Sequence, residues 1–408
     1  MTPSLDRRQL LAGAAATLAL QPSLTAGPAR LPRALKAAVV GCGRQGRNIV
    51  KELTTFPDVE LVAVCDTDES RLNGMRRRAR SAERYASLDE LLEKSGADVV
   101  FIATSSDQHR EPAEKALAAG KAVYCEAPLA TTSNDAAAIA RAARASGQIF
   151  QVGLLGRVNP VYSLAWSFVK AGAIRDFVSM RAQHHEKNSW VVPTDDPARA
   201  QRLGWKLDPE RSLGLIGELG AHQLDVYHWY TGQYPTRVSA SGAVLGWKDG
   251  RTMPDTVHAN YKWASGVELQ WEGTITNSYG DRYEMIHGTM GAVKLAWSHG
   301  WLFKESDAPT QGWEVYANRQ RFHNDEGITL IADATKLAAQ GKLTEGVGLP
   351  NSELWYGIES FLQAVGGGSK VEVGADEGFR NVVVAEAGAR ALRTGSDVEI
   401  TEAMLKVD

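Results

Sequence analysis

Between residues 35 and 153, short apolar runs alternate with amphipathic stretches. This alternation predicts βαβ units around a parallel sheet, because such strands are buried on both faces. Strands are predicted at 36–40, 60–65, 98–103, 122–125 and 149–152, and helices at 45–53, 88–94, 111–119 and 134–145. We therefore expect a doubly wound α/β domain over residues 35–155.

The pattern changes beyond residue 156. A helix is predicted at 161–171 and a strand at 177–183, and the segments 238–245, 257–263 and 267–271 alternate with the period of two that is typical of half-buried strands. Helices are predicted at 328–339, 352–364 and 377–394. We expect residues 156–408 to form a second α/β domain with a large, mostly antiparallel, open-faced sheet, whose last helices pack back on the first domain.

Residues 1–30 fit neither domain. Arg7-Arg8 precedes an Ala/Leu-rich run that ends at Leu20, and small residues follow at 26–27. This order is typical of a twin-arginine export signal and predicts a periplasmic or otherwise exported protein. A disordered N-terminus that contains Arg-Arg by chance is the alternative. The apolar run is shorter than the ~20 residues that cross a bilayer, so we expect no membrane anchor.

Net charge and cysteine spacing argue against further classes of function. The 45 Lys and Arg residues against 48 Asp and Glu residues give a formal charge of −3, which argues against nucleic-acid binding. Cys42, Cys65 and Cys125 lack the C-x-x-C spacing of a metal or redox site. We interpret them as buried structural thiols.

The run Gly41-Cys42-Gly43-Arg44-Gln45-Gly46 follows an apolar strand and opens a predicted helix, as the dinucleotide fingerprint requires. Gly41 permits the tight turn, Gly43 lets the backbone approach a pyrophosphate, and Gly46 lets the helix pack on the sheet. Asp66 follows 20 residues after Gly46, at the end of the next apolar run, where its carboxylate can accept hydrogen bonds from ribose hydroxyls. The pattern predicts a nicotinamide dinucleotide site.

An acidic Asp66 repels a 2′-phosphate, so we favour NAD over NADP. The nearby Arg44 and Arg71 keep NADP open as the alternative.

Further motifs accompany the fingerprint, namely Ala103-Thr104-Ser105 with His109, Gly120-Lys121-Ala122-Val123 leading to Glu126-Ala127-Pro128, Val152-Gly153 with Arg157, and the run from Gly217 to Asp225. Together they resemble the glucose-fructose oxidoreductase, inositol dehydrogenase and rhizopine-catabolism (Gfo/Idh/MocA) family from residue 35 to the end. The resemblance implies a Rossmann domain, an open-faced sheet that commonly forms homodimers or homotetramers, and oxidation or reduction of a carbinol carbon of a sugar or polyol with NAD(P). It implies cofactor contacts from Arg44, Gln45, Thr104, Ser105, His109, Glu126 and Pro128.

The chain departs from the family at the usual catalytic residues. The family commonly has a lysine where Ala127 stands, and an aspartate where Glu218 stands, whereas His222 keeps the family's histidine. If the segment is helical, the i to i+4 spacing places Glu218 and His222 on one face, where the carboxylate can orient the imidazole. We expect His222 to be the acid/base group and Glu218 its partner.

Five more residues are candidates for a substrate pocket: Arg157, His184, Lys206, Asp225 and Tyr283. The resemblance places Lys206 in a region that lines the pocket, and gives Asp225 a mainly structural position. It implies no metal, so we expect none at Glu218, His222 and Asp225.

Three functions follow from these residues. The first is an exported sugar or polyol oxidoreductase whose tightly bound NAD is recycled in place, since export removes access to a soluble pool. The second is a redox-neutral, NAD-dependent glycoside hydrolase that oxidises, eliminates, hydrates and reduces. The third is a binding protein that lost catalysis with the lysine at position 127.

Overall fold

The computed structural model describes residues 28, 30–310, 314, 319–321, 326–331 and 348–407. Almost all of the predicted export signal, and residues 332–339 of one predicted helix, lie outside the described residues. None of the described helices has the length and apolar character needed to cross a bilayer.

The first domain is a parallel sheet covered by helices, which confirms the predicted Rossmann class. Its strands are β1 (Leu35–Val40), β2 (Val59–Cys65), β3 (Glu83–Tyr85), β4 (Val99–Ile102), β5 (Ala122–Cys125) and β6 (Phe150–Val152), and its helices are α1 (Arg44–Leu53), α2 (Glu69–Gly74), α3 (Leu88–Lys94), α4 (Arg110–Ala118) and α5 (Ser133–Ser146). The strand order is β3-β2-β1-β4-β5-β6. The order reverses beside β1, and ligands of such sheets bind in the crevice at this switch point.

The second domain carries ten described strands in one sheet, as the alternating segments predicted. They are β7 (Phe177–His185), β8 (Arg237–Ala243), β9 (Thr256–Lys262), β10 (Glu268–Thr274), β11 (Arg282–Gly288), β12 (Gly291–Ala296), β13 (His299–Lys304), β14 (Arg319–Arg321), β15 (Glu326–Thr329) and β16 (Val398–Glu399). The order is β14-β15-β13-β12-β11-β7-β10-β9-β8-β16, antiparallel except between β7 and β10. The helices are α6 (Pro160–Lys170), α7 (Pro197–Leu203), α8 (Ala221–Thr231), α9 (Glu353–Val365) and α10 (Ala375–Thr394).

One face of this sheet is covered and the other is open. Along β7 the side chains of Met180, Ala182 and His184 are buried, whereas Arg181 and Gln183 lie on the opposite face. The period of two follows from the pleat. Among the described residues, helices cover one face, and polar side chains line part of the other.

The closing helices pack on the first domain. In α9, Trp355 stacks on Phe56 with ring centroids 5.3 Å apart. In α10, Asp376 pairs with Arg144 of α5 at 2.7 Å. The helix predicted from residue 328 is wrong at its start, because Ile328 pairs across to Leu302 as part of β15.

We predict that Gly46→Ala destabilises the protein by about 3 kcal/mol, as overpacking at a tight contact does. A Cβ at Gly46 would lie 1.7 Å from the carbonyl oxygen of Gly41, so α1 would have to move off the sheet. Gly74→Ala is the matched control, because a Cβ there meets nothing within 4 Å. Urea unfolding should lower the midpoint for Gly46→Ala alone; equal midpoints for both variants would contradict the packing argument.

Candidate functional site

The glycine turn after β1 forms the floor of the crevice. Gly41 has φ +95°, a left-handed conformation that favours glycine. The turn leads directly into α1, whose first N–H groups face the crevice where the positive end of the helix dipole attracts a phosphate. The backbone here fits a pyrophosphate.

Asp66 is fixed against this turn. Its carboxylate accepts hydrogen bonds from the backbone N–H groups of Cys42 and Asp68, both at 2.7 Å. The guanidinium of Arg71 lies 3.5 Å from the position that a Cβ on Gly43 would take. A carboxylate at the ribose position and a cation over the glycine turn match the donor set that a dinucleotide requires.

The loop after β5 forms the other end of the crevice. Burial raises the pKa of Glu126 to about 7, and its carboxylate accepts a hydrogen bond of 3.0 Å from the Gln45 amide. His109 is 1% exposed, and its Nδ1 lies 3.1 Å from the carbonyl oxygen of Pro128. The structure thus uses Glu126 and His109 to hold the loop, and keeps the His109 side chain inside the protein.

Thr104 and Ser105 lie where β4 ends. The Thr104 hydroxyl donates to the carbonyl oxygen of Gln108 at 3.1 Å, and Ser105 precedes a short 3₁₀ helix, Ser106–Gln108. Both residues are partly exposed at the edge of the sheet that carries the glycine turn. Arg44 is exposed at the start of α1.

Glu218 and His222 lie on a distorted helix. Residues Ile216–Gly220 form a π-helical turn that leads into α8. Glu218 lies within this turn and His222 within the first turn of α8. The expectation that Glu218 directly orients His222 is corrected here, because the Glu218 carboxylate has other partners.

Those partners come from two separate parts of the chain. The Glu218 side chain is 4% exposed and lies 3.1 Å from the Lys206 ammonium. Its other oxygen accepts a hydrogen bond from the Ser106 hydroxyl at 3.0 Å. Burial raises the pKa of Glu218, while Lys206 and Ser106 oppose that rise. The buried carboxylate therefore connects the second domain to the end of β4 in the first.

His222 is held neutral. Burial lowers its pKa to about 3, with smaller contributions from the positive charges of Arg282 and Lys206. Burial and Arg282 likewise lower the pKa of His184, on the covered face of β7, to about 3. In the described part of the chain, the Nδ1 atoms of both rings are buried without a hydrogen-bond partner. A bound group that supplies such partners would satisfy them.

Two tryptophans with strained backbones adjoin these residues, and the sequence did not indicate them. Trp190 has φ +60° and Trp297 has φ +52°, and such strain persists where surrounding contacts fix it, often at functional sites. The Lys206 ammonium lies 4.9 Å from the Trp190 ring centroid. The rings of Trp297 and His222 are 5.9 Å apart, and the Arg282 guanidinium lies 3.5 Å over Trp297. No local sequence motif predicts a positive φ at tryptophan, so sequence reasoning missed these two residues.

The other substrate candidates are placed elsewhere. Arg157 and Asp225 form a bidentate ion pair of 2.9 and 2.6 Å with each other. Tyr283 follows Arg282 on β11 and so lies on the opposite, open face of the sheet, beside Gln183 and Arg181. The structure therefore brings His184 and Lys206 to the site, and does not bring Tyr283 there.

A segment that we call the strap, residues 190–213, crosses from the second domain to the first. Arg199 on α7 binds Asp68 at 2.6 and 3.3 Å, and Arg211 binds Asp107 at 2.8 Å. Asp68 follows β2 and Asp107 follows β4, the strands on either side of β1. The strap is thus attached on both sides of the glycine turn.

Metal ligation has no support in the described residues, where no three His, Cys, Asp or Glu side chains form a metal-binding group. The three cysteines are buried and free.

We predict that Asp225→Ala destabilises the protein by about 3–5 kcal/mol, because it leaves the Arg157 guanidinium buried without its partner. The two side chains are 2% and 13% exposed. The double variant Asp225→Leu with Arg157→Met removes both charges and should recover most of the loss in urea unfolding. A wild-type midpoint for Asp225→Ala would contradict a structural role for this pair.

The curated relatives of this chain include a dehydrogenase and a hydratase. Among curated relatives, inositol 2-dehydrogenase 2 of Saccharopolyspora erythraea is 27% identical over 269 residues, which cover 64% of this chain and 73% of that protein. The 2,7-anhydro-N-acetylneuraminate hydratase of Escherichia coli K12 is 27% identical over 262 residues, covering 63% and 66%.

Solved structures share the fold. Levoglucosan dehydrogenase in complex with NADH and levoglucosan superposes with a TM-score of 0.72 at 19% identity, over 91% of this chain and 100% of that one. Residues 35–154 match the oxidoreductase family with an NAD-binding Rossmann fold, and residues 184–400 match its C-terminal α/β domain. The chain therefore belongs to the Gfo/Idh/MocA family of NAD-dependent oxidoreductases.

Proposed function

We propose that this protein oxidises or reduces a carbinol carbon of a sugar, polyol or glycoside, and that it retains and recycles its NAD in place. The observation that carries the proposal is that a turn suited to the cofactor and a histidine suited to proton transfer lie along one crevice. The glycine turn with Asp66 lies at one end, and a neutral, buried His222 lies beside the Glu218–Lys206 pair where the domains meet. Bound NAD supplies a hydride acceptor, and NADH a hydride donor.

The protein's own residues carry out the proton transfer. Because burial holds the pKa of His222 at about 3, its imidazole is an unprotonated base at neutral pH. It is placed to accept the proton of a substrate hydroxyl during oxidation, and to return it during reduction.

The aromatic side chains support a ring-shaped substrate. Tryptophan faces pack against the apolar faces of sugar rings, while polar groups around them pair the hydroxyls. Trp190 is anchored for such a contact, because its indole N–H donates to Glu186 at 2.8 Å. Trp297 is 4% exposed, and Arg282 lies on its ring, so Trp297 packs inside the protein beside His222.

A second candidate is redox-neutral cleavage of a glycoside. Two observations favour it. Ala127 contributes no charge where the family commonly has a lysine, and one relative is named a hydratase, an activity that leaves the oxidation level of its substrate unchanged.

Cofactor retention is supported by the strap. Its two anchors, Arg199 with Asp68 and Arg211 with Asp107, lie on either side of the glycine turn, so a dinucleotide bound there is covered. The anchoring carboxylates are largely buried, at 8% and 18% exposure, which limits competition from water.

We further propose twin-arginine export and assembly as a homodimer or homotetramer through the open sheet face. The order of Arg7-Arg8, the apolar run to Leu20 and the small residues at 26–27 supports export, and this pathway carries folded proteins. The mass of the chain recovered from a periplasmic fraction tests the first point, and sedimentation tests the second.

The purified, folded protein tests the function directly. We expect released cofactor to have the mass of NAD, and near-ultraviolet absorbance of bound reduced nicotinamide to change on adding one member of a panel of sugars, polyols and glycosides. A change that persists until a second substrate is added indicates an oxidoreductase cycle. Product formation without a lasting change indicates the redox-neutral candidate, and absence of any bound or bindable dinucleotide overturns both.

His222→Gln is the variant to compare with the wild type in that experiment. It should lower kcat by about 100-fold to 10,000-fold, the range for loss of a general base, while NAD stays bound. Since the folded pKa of His222 is lowered, the oxidation rate of the wild type should not fall between pH 8 and pH 5 as an ordinary imidazole would require. An acid limb near pH 6.5 would contradict the lowered pKa of His222, and wild-type kcat in His222→Gln would contradict its role as the base.

For the strap, we predict that Arg199→Ala with Arg211→Ala accelerates NADH dissociation by about 1.4-fold to fivefold per ion pair, as loss of a partly exposed pair does. Stopped-flow displacement of NADH fluorescence measures the rate. Arg202→Ala is the control, since Arg202 is exposed on the same helix. Equal rates for wild type and the double variant would exclude the strap from retention.

A further inference from the structure

Lys206 is the residue that joins the strap to the buried site. It lies on a short 3₁₀ helix, Trp205–Leu207, with its ammonium 3.1 Å from Glu218 and 4.9 and 5.4 Å from the ring centroids of Trp190 and Trp205. The Lys206 side chain is 34% exposed, whereas that of Glu218 is 4% exposed. The ammonium is therefore fixed by buried groups and still open to the crevice.

We propose that Lys206 is a catalytic residue of the oxidoreductase reaction proposed above: its ammonium contacts the oxygen of the reacting carbinol and stabilises the negative charge that develops there. In the oxidation, the O–H bond breaks and its proton goes to His222. The C–H bond breaks and its hydrogen leaves with two electrons as hydride to NAD, and a C=O bond forms. A preorganised cation at that oxygen lowers the barrier because charge develops there in the transition state.

Neighbouring cations are less suited to this role. Arg282 also acts on His222, but its guanidinium lies against the Trp297 ring at 3.5 Å, and its side chain is 24% exposed against 34% for Lys206. Position 127, at the end of β5, carries only a methyl group. The positive charge at the site therefore comes from Lys206 of the strap and not from the loop after β5.

The location of Glu218 fixes where this cation acts. Glu218 accepts a hydrogen bond from Ser106, which follows β4, and β4 pairs in parallel with β5 through Ile102 and Cys125. Parallel strands end at the same edge, so the Lys206–Glu218 pair lies at the cofactor edge of the sheet. The positive charges of Arg282 and Lys206 act on His222 there, and His222 acts in turn on His184.

Lys206→Met keeps the length of the side chain and removes its charge. We expect kcat to fall about 100-fold to 1,000-fold, the range for a lost oxyanion-stabilising group, with KM and NADH binding little changed. Lys170→Met is the matched control, because Lys170 also stands over a tryptophan, 4.6 Å from the Trp166 centroid, on α6.

A second variant separates charge from packing. Lys206→Cys, alkylated with 2-bromoethylamine, regains an ammonium on a chain of nearly the same length, and should recover most of the lost kcat. The three native cysteines are buried, so the new thiol is the accessible target. If kcat does not recover although the measured mass shows complete alkylation, Lys206 has a structural role only.

A readout without turnover completes the test. Lys206 lowers the pKa of His222, so Lys206→Met should raise it in a histidine NMR titration of dinucleotide-free protein, with His222→Gln identifying the resonance. If wild type acts on its sugar and Lys206→Met retains full kcat, the Lys206 proposal is overturned and the proposed function stands. If the wild type acts on no sugar, the proposed function fails and this inference with it.

Discussion

The site depends on burying one carboxylate, that of Glu218, between the two domains. A buried charge is tolerated only where partners replace water, and here the partners come from Ser106 of the NAD-binding domain and Lys206 of the strap. Domain packing, strap position and the electrostatics around His222 are therefore coupled, because displacement of any one leaves a buried charge unpaired. The lysine that pairs Glu218 also faces the crevice, so one interaction serves both structure and chemistry.

Two further charged pairs join the strap to the first domain. Asp68 with Arg199 and Asp107 with Arg211 place charged pairs on either side of the glycine turn. Ion pairs of this kind hold a segment in register at little net free energy, unlike an apolar seam. A strap held by such pairs can be displaced at small cost, and the proposed retention of the cofactor depends on them.

Desolvation decides which proton chemistry is possible. Burial and two nearby cations keep His222 neutral, so it is a base throughout the neutral pH range. The dehydrogenases and the hydratase that resemble this chain share the fold, and fold alone does not select between their outcomes. Whether hydride stays on the cofactor or returns to the same substrate depends on the groups that meet the adjacent carbon.

The sequence by itself determined the fold class and the cofactor end of the site. Apolar runs, glycines at 41, 43 and 46, and Asp66 act through local backbone geometry, which short-range spacing encodes. Only the tertiary structure decided the catalytic end. The Glu218 carboxylate paired with Lys206 and Ser106, the pleat of β11 placed Tyr283 on the open face, and Arg157 paired with Asp225. Such contacts join residues tens to hundreds of positions apart, and no local pattern specifies them.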